Sequence, residues 1–278
     1  MSKIIGIDVG GSTTKIIGYD QKKLFSPLLV KANDPVASIY GAFGRFLNEN
    51  KLQLSEIDRI MVTGVGSTFI DEKIFGIPTH KIDEFMAIGL GGLFLSKLDK
   101  AIIVSMGTGT AYVMAEKDKA YHIGGTGVGG GTLLGLSNRM LNVRNFSDIV
   151  DMAKDGDLRN IDLSIADISH VDVGSLTRET TASNFGKNVD LATKADVALG
   201  IINLVFQTIG MMAVFASRNE KVNDVVLTGN LTNVPQAKKI FDELTALFGI
   251  VFHMPAHAEF ATAAGAALAV PGSRTKEI

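Results

Sequence analysis

The sequence predicts an α/β protein, and three observations carry the prediction. Apolar strand-like runs alternate with helical runs in both halves of the chain. Glycine-rich turns follow strand-like runs at Gly10–Thr14, Gly107–Thr110, Gly124–Thr132 and Gly229–Thr232. The first strand–turn–strand unit also recurs. "AIIVSMGTGTAYVMAE" (Ala101–Glu116) lies on Ile4–Tyr19 at a constant offset, with Ile102 on Ile5, Val104 on Ile7, Gly107 on Gly10, Thr110 on Thr13 and Val113 on Ile16. That spacing fits two related lobes rather than a short-period solenoid.

In chain order, Ile4–Asp8 and Lys15–Tyr19 read as antiparallel strands joined by a glycine turn, and Leu24–Lys31 as a third strand. Pro35–Asn50 is a helix with Asp34 at the N-cap position. Asp58–Gly64 is a buried strand, Gly66–Phe75 a short helix, and His80–Phe85 a short strand ending on an acid. Met86–Ser96 is an apolar helix rich in small residues. After the second hairpin, "GGTGVGGGTLLGL" opens a helix within Tyr121–Met140. Helical stretches are expected near Phe146–Lys154 and Ser164–Ile168, and a polar loop over Ser175–Asn188. Ala195–Ala216 has the length and hydropathy of a membrane span. Asp196, Asn203 and Gln207 interrupt it and a polar run from Ser217 to Lys221 closes it, so a buried core helix is expected. Val222–Pro235 is a strand, a glycine turn and the start of a helix; Gly249–Pro255 is a late strand; Ala258–Val270 is a final small-residue helix. No linker is rich enough in Pro, Ser or charge to separate independent domains.

Hydrophobic residues are 46% of the 278, enough for a sizeable core. The net charge of −2, with no long run of one sign, argues against a nucleic-acid partner and against a polybasic membrane anchor. Without cysteine there are no disulfides, no thiolate catalysis and no Cys-ligated zinc. A strand begins at once, with no basic and apolar leader, so a cytoplasmic protein independent of membranes is expected.

Glycine turns after strands let backbone N–H groups approach phosphate oxygens with no Cβ in the way. One such turn means little, because a hairpin needs glycine for its geometry. Four of them, carrying hydroxyl residues, favour a nucleotide site. The helix opened by the triple glycine adds the positive end of its dipole. The pattern is neither a P-loop nor a G-x-G-x-x-G fingerprint. Asp8 is a lone acid at the end of an apolar strand, beside the first turn, with Lys15 just past it. Its choices are to cap the turn or to hold Mg²⁺, and its position next to a phosphate turn favours the metal.

These residues resemble a known superfamily. "DVGGSTTK" is similar to the first phosphate motif of the sugar kinase, hsp70 and actin fold, "SMGTGT" to the second, and "VVLTGNLTN" to its adenosine motif. The resemblance implies two ribonuclease-H-like lobes with ATP in the cleft between them, residues 1–100 and 101–278. It assigns nucleotide contacts to Gly10, Gly11, Ser12, Thr13, Lys15, Thr108, Gly109, Thr110, Gly129, Gly130, Gly131, Gly229 and Asn230, and magnesium to Asp8. More narrowly, "EF", "GTGT", "GGTGVGGGTLLGL", "TASNFG" and "GN" occur in the order found in type II pantothenate kinases. That likeness implies ATP-dependent phosphorylation of the terminal hydroxyl of pantothenate, the first step of coenzyme A synthesis, by a homodimer.

Within this frame Glu84 is the general base. From its pattern alone, Glu84 reads equally well as a surface residue beside Asp83. The resemblance assigns acceptor contacts to Glu84, Thr110, His122, Ser183, Asn184 and Phe185. From pattern alone, Ser183 or Asn184 also suits a helix cap. The family carries Arg where this chain has His122, in "YHIGG". Histidine cannot form the bidentate fork, so the acceptor differs, another base such as Arg139 or Arg178 substitutes, or His122 is a strand residue with no ligand contact. The alternatives are a kinase or ATPase of the same fold with another acceptor, and a nucleotide-binding regulator without catalysis. Dehydratase activators use a Cys-held cluster and many sugar kinases a Cys-rich zinc motif, and this chain has no cysteine.

Overall fold

The computed structural model describes residues 3–275 apart from 12, 22, 32–33, 71–72, 175, 188–190 and 273–274. The first half contains β1 (Lys3–Val9), β2 (Thr13–Asp20), β3 (Lys23–Lys31), α1 (Pro35–Asn50), β4 (Ile57–Thr63), β5 (Lys73–Ile74), β6 (Ile77–Lys81) and α2 (Glu84–Ser96). Its strands form one sheet in the order β3-β2-β1-β4-β6-β5, with β1, β4 and β6 parallel. The second half contains β7 (Lys100–Met106), β8 (Thr110–Glu116), β9 (Lys119–Thr126), α3 (Gly130–Leu141), α4 (Phe146–Met152), β10 (Leu163–Ser164), α5 (Ile165–Ile168), β11 (Thr181–Ser183), α6 (Lys194–Glu220), β12 (Asp224–Thr228), α7 (Pro235–Phe248), β13 (Val251–His253) and α8 (Ala261–Leu268). Its main sheet runs β13-β12-β7-β8-β9, the same topology as the first read in the other direction. The short strands β10 and β11 pair on their own.

Side-chain alternation sorts the two faces of each sheet. Ile5, Ile7 and Val9 on β1 pack under α1 against Ile39, Phe43 and Phe46. Ile4, Gly6 and Asp8 therefore take the opposite face. There α8 comes so close that a Cβ on Gly6 would stand 2.0 Å from the Ala263 carbonyl oxygen. In the second sheet, Ile102, Val104 and Met106 meet Leu133, Phe206 and Phe241 of α3, α6 and α7. Ala101 and Ile103 meet Met86 and Ile88 of α2. The covering helices are thus exchanged: α2 lies on the sheet that follows it, and α8 lies on the first sheet. The two helices cross between the sheets with backbones in contact. A Cβ on Gly91 would sit 1.8 Å from the Ala261 oxygen, and one on Gly265 1.8 Å from the Ala87 oxygen.

Most expected elements are present, and the differences have local causes. The strand expected over His80–Phe85 ends at Lys81, because Asp83 caps α2 by accepting from the Met86 N–H at 2.9 Å. In place of the helix expected over Gly66–Phe75 there is a 3₁₀ turn, Val65–Phe69, and then β5; residues 71–72 lie outside the described residues. Positive φ at Phe75 and Gly76 closes a tight hairpin in which Ile74 pairs with Ile77. The expected loop over Ser175–Asn188, whose end residues lie outside the described residues, contains β11. The hairpin repeat is real, but the second turn is one residue tighter. Val9 pairs with Thr14, whereas Met106 pairs with Thr110, so Thr110 corresponds to Thr14 rather than Thr13.

The polar residues along α6 are engaged rather than stranded in an apolar helix. Asp196 and Thr193 form a capping box at its start. Asn203 donates to the buried Asp162 at 2.6 Å, and Gln207 accepts from Asn184 at 3.2 Å. Ile201, Val205, Phe206 and Ile209 of α6 are fully buried.

Candidate active site

Because β1, β4 and β6 are parallel, their carboxyl ends share one edge of the first sheet, and open α/β sheets bind ligands at such edges. Asp8, near the end of β1, pairs with Lys15 on β2 and with Thr63 on β4. Its carboxylate is on the face turned toward α8. Lys15 Nζ stands 3.9 Å from Asp8 Oδ2, and no other donor among the described residues reaches that carboxylate. Burial raises the Asp8 pKa, and the charge of Lys15 opposes this only in part. A carboxylate so poorly partnered fits Mg²⁺, which needs only one or two protein carboxylates and completes its shell with water and phosphate oxygens. No cluster of three or more His, Asp or Glu suited to a metal occurs among the described residues. Asp8 is thus suited to an ion that arrives with its phosphates.

Glu84 is the first residue of α2, just beyond the end of β6. It is solvent-accessible. Loss of surrounding water raises its pKa first, and the negative charges of Asp8 and then Asp83 raise it further. Asp8 and Glu84 thus lie near the carboxyl ends of β1 and β6, on the same edge of the first sheet. Phe85, the next residue, stacks on His122 of β9 with ring centroids 4.0 Å apart and planes 15° apart. The start of α2 therefore touches both lobes. His122 reaches the Glu84 neighbourhood through this ring contact. Arg139 and Arg178 are exposed.

Of the first turn, Ser12 lies outside the described residues. Gly10 donates its N–H to the Thr13 carbonyl at 3.0 Å, while Gly11 is exposed with open space around it. In the second turn Gly107 donates to Gly109 O at 2.9 Å. Among the described residues, nothing takes up the N–H groups of Gly11, Thr108 or Gly109. Free, adjacent amides on tight turns form an anion-binding concavity.

The triple glycine has a different use. Gly130 and Gly131 donate to the carbonyls of Gly107 and Thr108 at 2.8 and 2.9 Å, and the Gly129 N–H meets Thr132 Oγ1 at 3.2 Å. The first two of these N–H groups lock the start of α3 onto the glycine turn after β7, and the third closes on α3 itself. The buried Thr110 assists by donating its hydroxyl to the Val128 carbonyl at 2.8 Å. Gly229 joins the same group, since at φ +91° its missing side chain would collide with the Met106 carbonyl oxygen at 2.4 Å. Asn230 Oδ1 is buried without a donor among the described residues and is open to a ligand's hydroxyl or amine.

Ser183, Asn184 and Phe185 form a separate group ahead of α6, with Asn184 donating to Gln207 of that helix. Asp162, 3% exposed, accepts from Asn184 Nδ2 at 3.3 Å, from the Phe185 N–H at 2.9 Å and from Asn203 Nδ2 at 2.6 Å. Neither Ser183 nor Asn184 caps the helix, because Thr193 does. Asp162 was not singled out from the sequence. Gly64 was also missed. At φ +86°, a Cβ there would lie 2.7 Å from Asp8 Oδ1 and 2.6 Å from the Val9 carbonyl oxygen. Its readable signal is the Thr63–Gly64 pair after an apolar strand, which matches Thr228–Gly229.

Two sheets of matching topology, exchanged helices and glycine turns at the strand ends define a two-lobed protein of the sugar-kinase and actin-like ATPase fold. The chain is similar in structure to component A of (R)-2-hydroxyglutaryl-CoA dehydratase from Acidaminococcus fermentans, with TM-score 0.67, 18% identity, and coverage of 96% of this chain and 97% of that one. It is also similar to ROK hexokinase from Thermus thermophilus, with TM-score 0.57, 13% identity, and coverage of 96% and 97%. The chain belongs to the Fumble family, the family of type II pantothenate kinases, whose model matches residues 95–248. It is 26% identical over 264 residues to the type II pantothenate kinase of Bacillus cereus (strain ATCC 14579), covering 88% of this chain and 90% of that one. It is 28% identical over 274 residues to that of Staphylococcus aureus (strain bovine RF122 / ET3-1), covering 94% and 97%.

Proposed function

We propose that this chain transfers the γ-phosphoryl group of ATP to the terminal hydroxyl of pantothenate. The observation that carries the reading is that Asp8 and Glu84 lie on the shared carboxyl edge of the parallel strands of one sheet, in a chain similar over nearly its whole length to type II pantothenate kinases. The free N–H groups of Gly11, Thr108 and Gly109 are suited to phosphate oxygens, with Lys15 adding positive charge. Ser12 and Thr13 complete the first turn, and Gly229 and Asn230 are suited to the nucleoside.

A primary alcohol attacks phosphorus well only if its proton has somewhere to go. Glu84 takes that proton as the new P–O bond forms and the bond to ADP breaks. Its raised pKa brings it closer to the operating pH, which is what a general base requires. Asp8 would hold magnesium beside the β- and γ-phosphates. When bound, the ion neutralises charge developing on the phosphate oxygens. Thr110 and His122 line the acceptor side in this reading, and the segment Ser183–Phe185, grouped around Asp162, is assigned to the acceptor site of the partner subunit. A homodimer is carried over from the family resemblance, with the apolar helix α6 long enough to serve as its seam. We assign the protein to the cytoplasm.

The test is ATP consumption with Mg²⁺ across pantothenate, pantetheine, glucose and N-acetylglucosamine. Turnover with pantothenate at the highest kcat/KM is expected. Preference for a sugar would replace this reading with a sugar kinase of the same fold.

A further inference from the structure

We propose that Val65 is a specificity-determining residue that packs against the carbon next to the one bearing the acceptor's reacting hydroxyl, and so selects acceptors that are apolar at that point. This rests on the reading above. A single exposed valine is ordinary on a protein surface, so the argument is from placement. The first sheet runs β1-β4-β6 through its parallel strands. Asp8 stands at the end of β1 and Glu84 just past the end of β6. The middle strand, β4, ends in Thr63, followed by Gly64 and Val65.

The turn after β4 thus lies between the metal carboxylate and the base. Its contact with the first of these is direct, since the missing Gly64 Cβ would come within 2.7 Å of Asp8 Oδ1. A hydroxyl that gives its proton to Glu84 while attacking a phosphorus held beside Asp8 must bring its carbon over this turn.

The second lobe supplies a parallel. Thr228–Gly229 ends β12 as Thr63–Gly64 ends β4, and both threonines are fully buried. Both glycines have φ near +90°, both abut the last carbonyl of the neighbouring hairpin strand, and both open a 3₁₀ turn. On the nucleotide side the residue after the glycine is Asn230, whose Oδ1 is an open acceptor suited to a polar nucleoside. On the acceptor side the same position is Val65, which is 65% exposed. One lobe presents a polar group at this corner and the other an apolar one. A hexose reacting at its terminal CH₂OH would place its ring oxygen there, against valine and unpaired. Pantothenate places there a quaternary carbon with two methyl groups, next to the CH₂OH that reacts.

The experiment is steady-state kinetics of the full chain at saturating MgATP, comparing wild type, Val65→Ser and Val65→Ile with pantothenate, glucose and N-acetylglucosamine. Because Val65 is exposed, both variants should melt as wild type does. Val65→Ser is expected to raise the KM for pantothenate roughly tenfold, the scale of one lost apolar contact in a pocket. The loss should fall on KM rather than kcat, and Val65→Ile should retain the wild-type KM. A wild type that acts on pantothenate and a Val65→Ser KM within about twofold of it would overturn the inference alone. A wild type that leaves pantothenate untouched and phosphorylates a sugar would overturn the functional reading and the inference with it.

Discussion

The charge of Asp8 raises the proton affinity of Glu84, although Asp8 lies on β1 and Glu84 opens α2 beyond β6, with β4 between the two strands. An ion bound at Asp8 would weaken that repulsion and release Glu84 to act as a base.

Glu84→Gln should lower kcat by about 10²–10⁴-fold, the usual scale for removing a general base. ATP affinity by calorimetry should be retained. The stability readout runs the other way. The folded-state pKa of Glu84 lies above its usual 4.5, so its ionisation costs stability as pH rises from there, and the cost is complete above the folded value. At about pH 8 the glutamine variant, free of that cost, should melt no lower than wild type. Low activity together with a collapsed Tm would make Glu84 structural.

The acid limb of the kcat profile should lie above the range of an ordinary glutamate, with activity rising as Glu84 ionises. Asp83→Asn keeps the helix cap, because the amide oxygen still accepts from Met86, but it removes one of the two negative charges acting on Glu84. The limb should move to lower pH. A limb that stays fixed would mean that Asp83 does not act on the base.

Asp8→Asn should remove the Mg²⁺ dependence of ATP binding while the chain still folds. Titrations of wild type with and without EDTA should differ, and those of the variant should coincide. If the wild-type curves coincide as well, Asp8 has no metal role.

His122→Arg should preserve the ring contact, because a guanidinium is planar and stacks on Phe85 as the imidazole does. It adds a fixed positive charge near the acceptor's path. The KM for pantothenate, which carries a carboxylate, should stay level or fall by up to about tenfold. A higher KM would show that this site is built around histidine.

Asp162→Ala should destabilise the fold by about 3 kcal/mol in urea unfolding, since it strands buried donors on Asn184, Asn203 and the Phe185 backbone. Loss of less than about 1 kcal/mol would mean that these donors find other partners.

Much of this was legible in the sequence because the informative residues are local. Asp34 caps α1 by accepting the Ala37 N–H, as its position next to an apolar-periodic run implied. The duplicated hairpin was readable because matching strands keep matching spacing. What escaped depends on contacts remote in the chain. Asp162 looks like any loop acid until Asn184 and Asn203 fold onto it. The triple glycine looks like a phosphate cradle, yet the N–H groups of Gly130 and Gly131 are taken up by carbonyls more than 20 residues earlier. Gly64 gained meaning only when β4 lined up beside β1. The partner sheet of α2 was likewise invisible, because its apolar side chains suit either sheet.

That exchange of helices has a consequence for how the chain can be divided. A cut between Ser96 and Lys100 falls where the two strand-and-helix repeats meet. Each fragment would carry the helix that shields the other and leave its own sheet bare on one side. Expressed separately, the halves should aggregate. Expressed together they should assemble into an active heterodimer, with Gly91 and Gly265 at its centre. The single chain behaves, in this respect, as two subunits that swapped an arm and were then fused.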